Sequence, residues 1–277
     1  MTTSTVRPAA AVPQVRRMNF DFADDIPRHW WGGDRELTRN ADALHLLFPE
    51  GERFFMRSVR DVAAKLTDPH LKARVRGFMG QEAMHGRETE VSFRLLDRDG
   101  LEWESFVETV IKPTFASADR HLSPMTRLSI TCALEHLTAT LGEGAFSDPT
   151  VVEAHPTMQK LMLWHAAEEV EHKSVAFDVF QAAGGGYFRR IVGMVLGYTT
   201  FMVLWRRAAR HLLEQDGGYH ARDMTALRAR MQAKGNDRLA EFRAAFLGYL
   251  RPGFHPDDND NLHIAEAYFA EQERLAS

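Results

Sequence analysis

The sequence is short of cysteine, of strand signals and of apolar runs long enough to cross a membrane. Its single cysteine, Cys132, among 277 residues excludes a disulfide framework within the chain. That agrees with a reducing compartment, so the cytoplasm is the expected location. The first nineteen residues carry Arg7, Arg16 and Arg17 but no apolar core of the kind a secretion signal needs. Residues 1–19 therefore read as a flexible arm. Net charge is only −4 with histidine neutral, so no basic footprint argues for a nucleic-acid partner. The longest uncharged stretch, 191–205 (IVGMVLGYTTFMVLW), falls short of the roughly twenty apolar residues a membrane span requires. Arg189, Arg190, Arg206 and Arg207 bracket it. Buried packing or a homodimer interface is its first reading. Shallow membrane contact and the lining of a tunnel for a long apolar substrate are the alternatives.

What the sequence has in quantity is helical periodicity. Apolar residues recur every three or four positions over long stretches, while alternating β-branched runs are missing. The spacing predicts a short helix over 39–48 and another over 49–66. Asp68-Pro69 and Ser123-Pro124 are cap-plus-proline starts, opening helices over 69–97 and 124–146. A connecting helix over 102–118 should kink at Pro113. Further helices are expected over 156–183, 188–213, 220–233, 236–250 and 260–275. The fold expected is all-α: a four-helix bundle over 20–186 and a C-terminal helical extension over 187–277 packed on it.

Acidic and histidine residues interrupt the apolar stripes in a repeated order. Glu52 lies in the middle of the first stripe. Glu82 and His85 share a face on the second helix, because residues three apart are helical neighbours. Glu135 lies on the third, and Glu169 with His172 repeat the three-residue step on the fourth. Glu82 follows Glu52 by 30 residues and Glu169 follows Glu135 by 34, distances that let an antiparallel helix pair bring each set to one height. One Glu-x-x-His is a weak signal, but two, each preceded by a lone Glu at matched spacing, form a strong one. This is the ligand order of ferritin-like bundles that hold two iron or manganese ions. Four buried carboxylates would be very costly without compensating cations. His165 and Glu168 are additional candidate ligands, since His165 lies four before Glu169 and Glu168 four before His172. Thr131, Thr138 and Gly142 share the face of Glu135. They would leave room beside the metals or serve close helix packing. His136, Cys132 and the acidic run at 257–260 read as packed or solvated groups.

Four stretches also carry a resemblance. They are Phe48-Pro49-Glu50-Gly51-Glu52-Arg53-Phe54-Phe55, Gly80-Gln81-Glu82-Ala83-Met84-His85, Ala133-Leu134-Glu135-His136-Leu137-Thr138-Ala139, and 164–173 (WHAAEEVEHK). Together they resemble the predicted metal-dependent hydrolase family, which is similar to the ferritin-like superfamily. The resemblance implies a metal site at the motif residues and hydrolysis as one reaction. The carboxylate-rich donor set itself favours an O2-dependent di-iron oxidase or oxygenase, with a metal-activated water for hydrolysis as the alternative. A non-enzymatic metal-binding bundle is a third reading. Two iron ions are the expected cofactor, with manganese, a mixed manganese–iron pair or zinc as alternatives. The expected partners are a small, apolar substrate, an electron donor for the oxidative reading, and a second copy of the chain.

Overall fold

The computed structural model describes residues 11–23 and 25–276. Among them there are no strands, only one isolated bridge between Trp31 and Ala154. The fold is all-α.

Helix α1, Arg35–Ala63, starts where the Asp34 carboxylate accepts from the Leu37 N–H. It runs straight through Pro49. This corrects the expectation of two helices meeting there. Proline removes one N–H and so frees one carbonyl a turn earlier, but Leu46 and Leu47 before it and Phe54 and Phe55 after it are all buried. A break would cost the packing of one group or the other.

Helix α2, Pro69–Ser92, is capped by Asp68, which accepts from His70 N–H and Leu71 N–H. It ends before the expected 97. Ser92 Oγ donates to the Thr89 carbonyl and the Phe93 N–H takes the Glu90 carbonyl, tightening the last turn before the short α3, Arg94–Arg98. The connecting segment holds α4, Glu104–Phe106, a π turn over Val107–Ile111, and α5, Lys112–His121. The kink expected at Pro113 takes the form of that π turn, which opens the hydrogen-bond ladder just ahead of the proline.

Helix α6, Pro124–Ser147, begins at the Ser123 cap, and α7 covers Pro156–His172. The helix expected to run to 183 breaks directly after His172, and α8 resumes over Val175–Ala182. Arg74 donates to Ser174 Oγ at 2.8 Å and Lys173 reaches the Asn259 carbonyl, so both residues of the break are tied to other elements. Helices α9, Tyr187–Gln215, α10, Ala221–Ala233, α11, Arg238–Tyr249, and α12, Leu262–Ala276, complete the chain.

Helix α1 packs on α2, α6 on α7, α1 on α6, and α2 on α7 and α8, which encloses a common interior. Helix α9 lies across α6 and α1, α11 lies on α6, and α12 on α7. Gly193 permits the α9–α6 approach, because a Cβ there would collide with the Ser129 carbonyl. The inner face of α9 buries Met194, Phe201, Leu204 and Leu212, while Val192, Val195 and Val203 stay exposed. No helix among the described residues is long and apolar enough to cross a membrane.

Residues 11–19, expected to be a flexible arm, instead lie extended against α2; residues 1–10 fall outside the described residues. Gly77 and Gly80 make the groove: a Cβ at either would collide with the Pro13 carbonyl or the Val15 side chain. Glu88 then accepts from the backbone N–H groups of Asn19 and Phe20, at 3.1 and 3.0 Å. The following Trp30 and Trp31 are buried over the end of α1, donating to Asp42 and to the Thr150 carbonyl.

Candidate metal centre

The four helices α1, α2, α6 and α7 each send one carboxylate into the shared interior. Glu52, Glu82, Glu135 and Glu169 are at most 4% exposed, and His85 and His172 are fully buried. Three overlapping groups have ligand atoms within 4.8 Å of one another: Glu52 with His85 and His165, Glu82 with His85 and Glu169, and Glu82 with Glu135 and His172. His172 Nε2 lies 3.4 Å from Glu135 Oε2, 3.5 Å from Glu82 Oε1 and 3.6 Å from Glu169 Oε2. His85 Nδ1 lies 3.7 Å from Glu169 Oε1 and 3.9 Å from Glu82 Oε2. Ligands at about 2.1 Å from one cation stand roughly 3 to 3.5 Å from each other, so these gaps suit a pair of shared cations. Glu82 and Glu169 take part on both sides.

The hydrogen-bond accounting points the same way. Both oxygens of Glu52, Glu82 and Glu135, one oxygen of Glu169, His85 Nδ1 and His172 Nε2 have no hydrogen-bond partner among the described residues. Buried polar atoms are rarely left so. Burial, with repulsion from the neighbouring carboxylates, pushes Glu52, Glu82 and Glu135 well above the usual carboxylate range. Burial also acts on Glu169, but the imidazoles of His172 and His165 hold it well below that range. Burial keeps His85 neutral, as a ligand must be. The donors fit two divalent cations.

Residues 14–260 match a family model described as predicted metal-dependent hydrolase. The chain belongs to that family. No curated protein and no solved structure matches it.

In this member of the hydrolase family, both central histidines are fixed from behind. Glu168 Oε2 sits 2.9 Å from His85 Nε2, and Arg16 Nη1 donates to the other oxygen of Glu168 at 3.1 Å. Glu168 thus faces away from the interior, toward the arm, where burial raises it to about 7 against the pull of Arg16. His172 Nδ1 donates to Gln81 Oε1 at 2.9 Å. Gln81 is itself oriented by donating to Glu171 and to the Gln14 carbonyl. Such partners set which ring nitrogen is free. His85 offers Nδ1 and His172 offers Nε2.

His165 comes within reach of the site, its Nε2 3.0 Å from Glu169 Oε1 and 3.7 Å from Glu52 Oε1, its ring stacked on His85. Of the small residues on α6, Thr131 serves packing through Ser58 Oγ at 2.6 Å, and Gly142 fits against the Ala166 backbone. Thr138 faces open space. Two apolar cavities, of about 280 and 580 Å³, both border Phe48, Thr138 and Glu169. Glu52 borders the first and His165 the second. Helix α9 lines both, through Phe201 and Leu204 in one and Met202 and Trp205 in the other.

From sequence Arg16 is only a charge on the arm, and Gln81 and Glu171 are only members of the stretches that carry the resemblance; their roles at the site rest on contacts between distant elements. Gly86 was missed too: a Cβ there would stand 3.0 Å from Glu52 Oε2, so glycine leaves the carboxylate its place. Asp178 pairs with Arg74 and His255, away from the ligand histidines. His136 donates to the Ala245 carbonyl, and Cys132 is a buried free thiol.

Proposed function

We propose that the chain is a two-metal hydrolase for an apolar small molecule. The observation that carries this reading is the ring of buried metal-ligating groups, without hydrogen-bond partners among the described residues, at the edge of two apolar cavities, in a chain of the predicted metal-dependent hydrolase family. Glu52, His85 and His165 would hold one cation, Glu135 and His172 the other, with Glu82 and Glu169 between them. Two cations bound there supply Lewis acidity for the bond under attack and bring the pKa of a water toward neutrality. The protein's own residues do the rest. Glu168 and Gln81 hold His85 and His172 in their working tautomers. Phe48, packed on His165, and the cavity walls exclude bulk water. His165 stands at the edge of the second cavity with Nε2 between Glu52 and Glu169, which ties that ligand set to the substrate space.

A second reading, an O2-dependent di-iron oxidoreductase, is favoured by the excess of hard carboxylate donors over imidazoles. One experiment divides the two. Protein loaded with two equivalents of iron, manganese or zinc is given apolar esters, then O2 with a reductant. Ester cleavage without O2 uptake supports hydrolysis. Uptake of O2 by the iron form alone, with every ester intact, would replace it with the oxidative reading.

A further inference from the structure

We propose that the substrate is an elongated anionic amphiphile, its apolar chain threading both cavities past Glu52 and Glu169 and its charged end held at Arg206 and Arg228. The proposal rests on the metal-site reading only for where the molecule reacts.

The two cavities share Phe48, Thr138 and Glu169 as a common border. A ligand occupying both therefore presents an interior position, not an end, to the carboxylates. The first cavity has no Asp, Glu, Lys or Arg in its lining other than Glu52 and Glu169; Phe55, Phe115, Leu134 and Phe201 are typical of its walls. Such walls suit a hydrocarbon chain, which gains by leaving water. The second cavity combines apolar walls, Leu44, Leu141 and Met202 among them, with charged residues.

The charges there are unequal in their commitments. Asp148 accepts from Arg238 and Asn236, and Arg238 also pairs with Glu241. The two oxygens of Asp237 take the Ala240 N–H and the Gln232 side chain. Arg206 and Arg228 line the cavity, are exposed, and have no hydrogen bond or ion pair among the described residues. Arg228 feels the charge of Asp237, but the oxygens of Asp237 are taken, so Arg206 and Arg228 both keep their guanidinium N–H groups for a ligand. A carboxylate, sulfate or phosphate head would complement them.

Binding tests this without turnover. The full-length protein, metal-free and zinc-loaded, is titrated with dodecanoate, dodecanol and dodecyltrimethylammonium against a neutral fluorescent apolar probe. Dodecanoate should bind tightest and the ammonium weakest, and octanoate should fall behind dodecanoate by up to roughly fourfold per missing methylene. The R206E/R228E double variant should lose about tenfold for dodecanoate with dodecanol unchanged. Ala118→Trp, which intrudes on the first cavity from its rim, should shrink the gap between dodecanoate and octanoate. Equal affinity for all three head groups, or no response to charge reversal, overturns the anionic end. Saturable binding that ignores chain length and A118W overturns the threading. Binding as expected with no turnover of any substrate would leave this proposal standing and count against the hydrolase reading alone.

Discussion

Glu168 and His85 meet through Oε2 and Nε2 at 2.9 Å, and the contact turns His85 Nδ1 toward Glu82 and Glu169. The neighbouring acid, Glu169, faces the other way into the site. Adjacent glutamates on one helix thus divide the work, one forming the site and one orienting a histidine. Removing the outer partner of a metal-binding histidine costs about 10- to 100-fold in metal affinity. Glu168→Ala should show that loss in competition with a chelator, and Glu168→Gln, which keeps an acceptor, a smaller one. Unchanged affinity in Glu168→Ala would remove this role.

The arm should be part of the site's support. Gly77→Val puts side-chain atoms where the Pro13 carbonyl lies, and so displaces residues 11–19 along with Arg16. Limited proteolysis should then cut within 11–19 faster than in the parent. The chelator titration should move in the same direction as for Glu168→Ala. An arm that stays protected would show that the Gly77 groove does not hold it.

Glu135→Gln should affect the metal-free and metal-loaded protein with opposite sign. In the metal-free protein Glu135 is buried, has no hydrogen-bond partner among the described residues, and is pushed well above the usual carboxylate range by burial and the neighbouring acids. Folding must take up a proton there, or bury the charge, at a pH where the unfolded carboxylate is ionised; the amide carries neither cost, so thermal stability should rise by about 1 to 2 kcal/mol. The rise in Tm that metal gives the parent should shrink, because a ligand that binds only the folded state stabilises it in proportion to its affinity. Metal uptake by the parent should also release protons, since Glu52, Glu82 and Glu135 stand well above the usual carboxylate range without it. Calorimetry in buffers of different ionisation enthalpy reads that release directly.

Acid should unfold the protein partly through buried histidines. Burial pushes His45 down to about 3 and His136 down to about 4. An unfolded histidine takes a proton near pH 6.5. Between 6.5 and about 4 the unfolded state therefore binds protons that folded His136 refuses, so stability falls as pH falls, by at most on the order of 3 kcal/mol from this residue. Above 6.5 neither state is charged at these positions and the contribution is flat. Urea midpoints measured across that window should show the slope, and His136→Asn should reduce it. A slope unaffected by the substitution would assign the acid sensitivity elsewhere.

Much of this protein was legible before folding. The two Glu-x-x-His steps and the two lone glutamates, set on apolar stripes, already put Glu52, Glu82, His85, Glu135, Glu169 and His172 on inward faces. Helical periodicity is a local property, so it survives in the sequence. The cap pairs Asp68-Pro69 and Ser123-Pro124 marked two helix starts for the same reason. Pro49 shows the limit. Its local tendency to end a helix is overridden by burial on both sides of it, which no local pattern reveals.

The sequence by itself determined which residues share a face within each helix, because helix geometry alone aligns them. Only the tertiary structure decided which of Glu168 and Glu169 faces the interior, since both are buried and the choice turns on Arg16, more than 150 residues away. It also decided that His165 joins the cluster, that residues 11–19 brace it, and that the 191–205 stretch lines two cavities. Each of these depends on contacts between elements distant in the chain, and such contacts leave no period in the sequence to read.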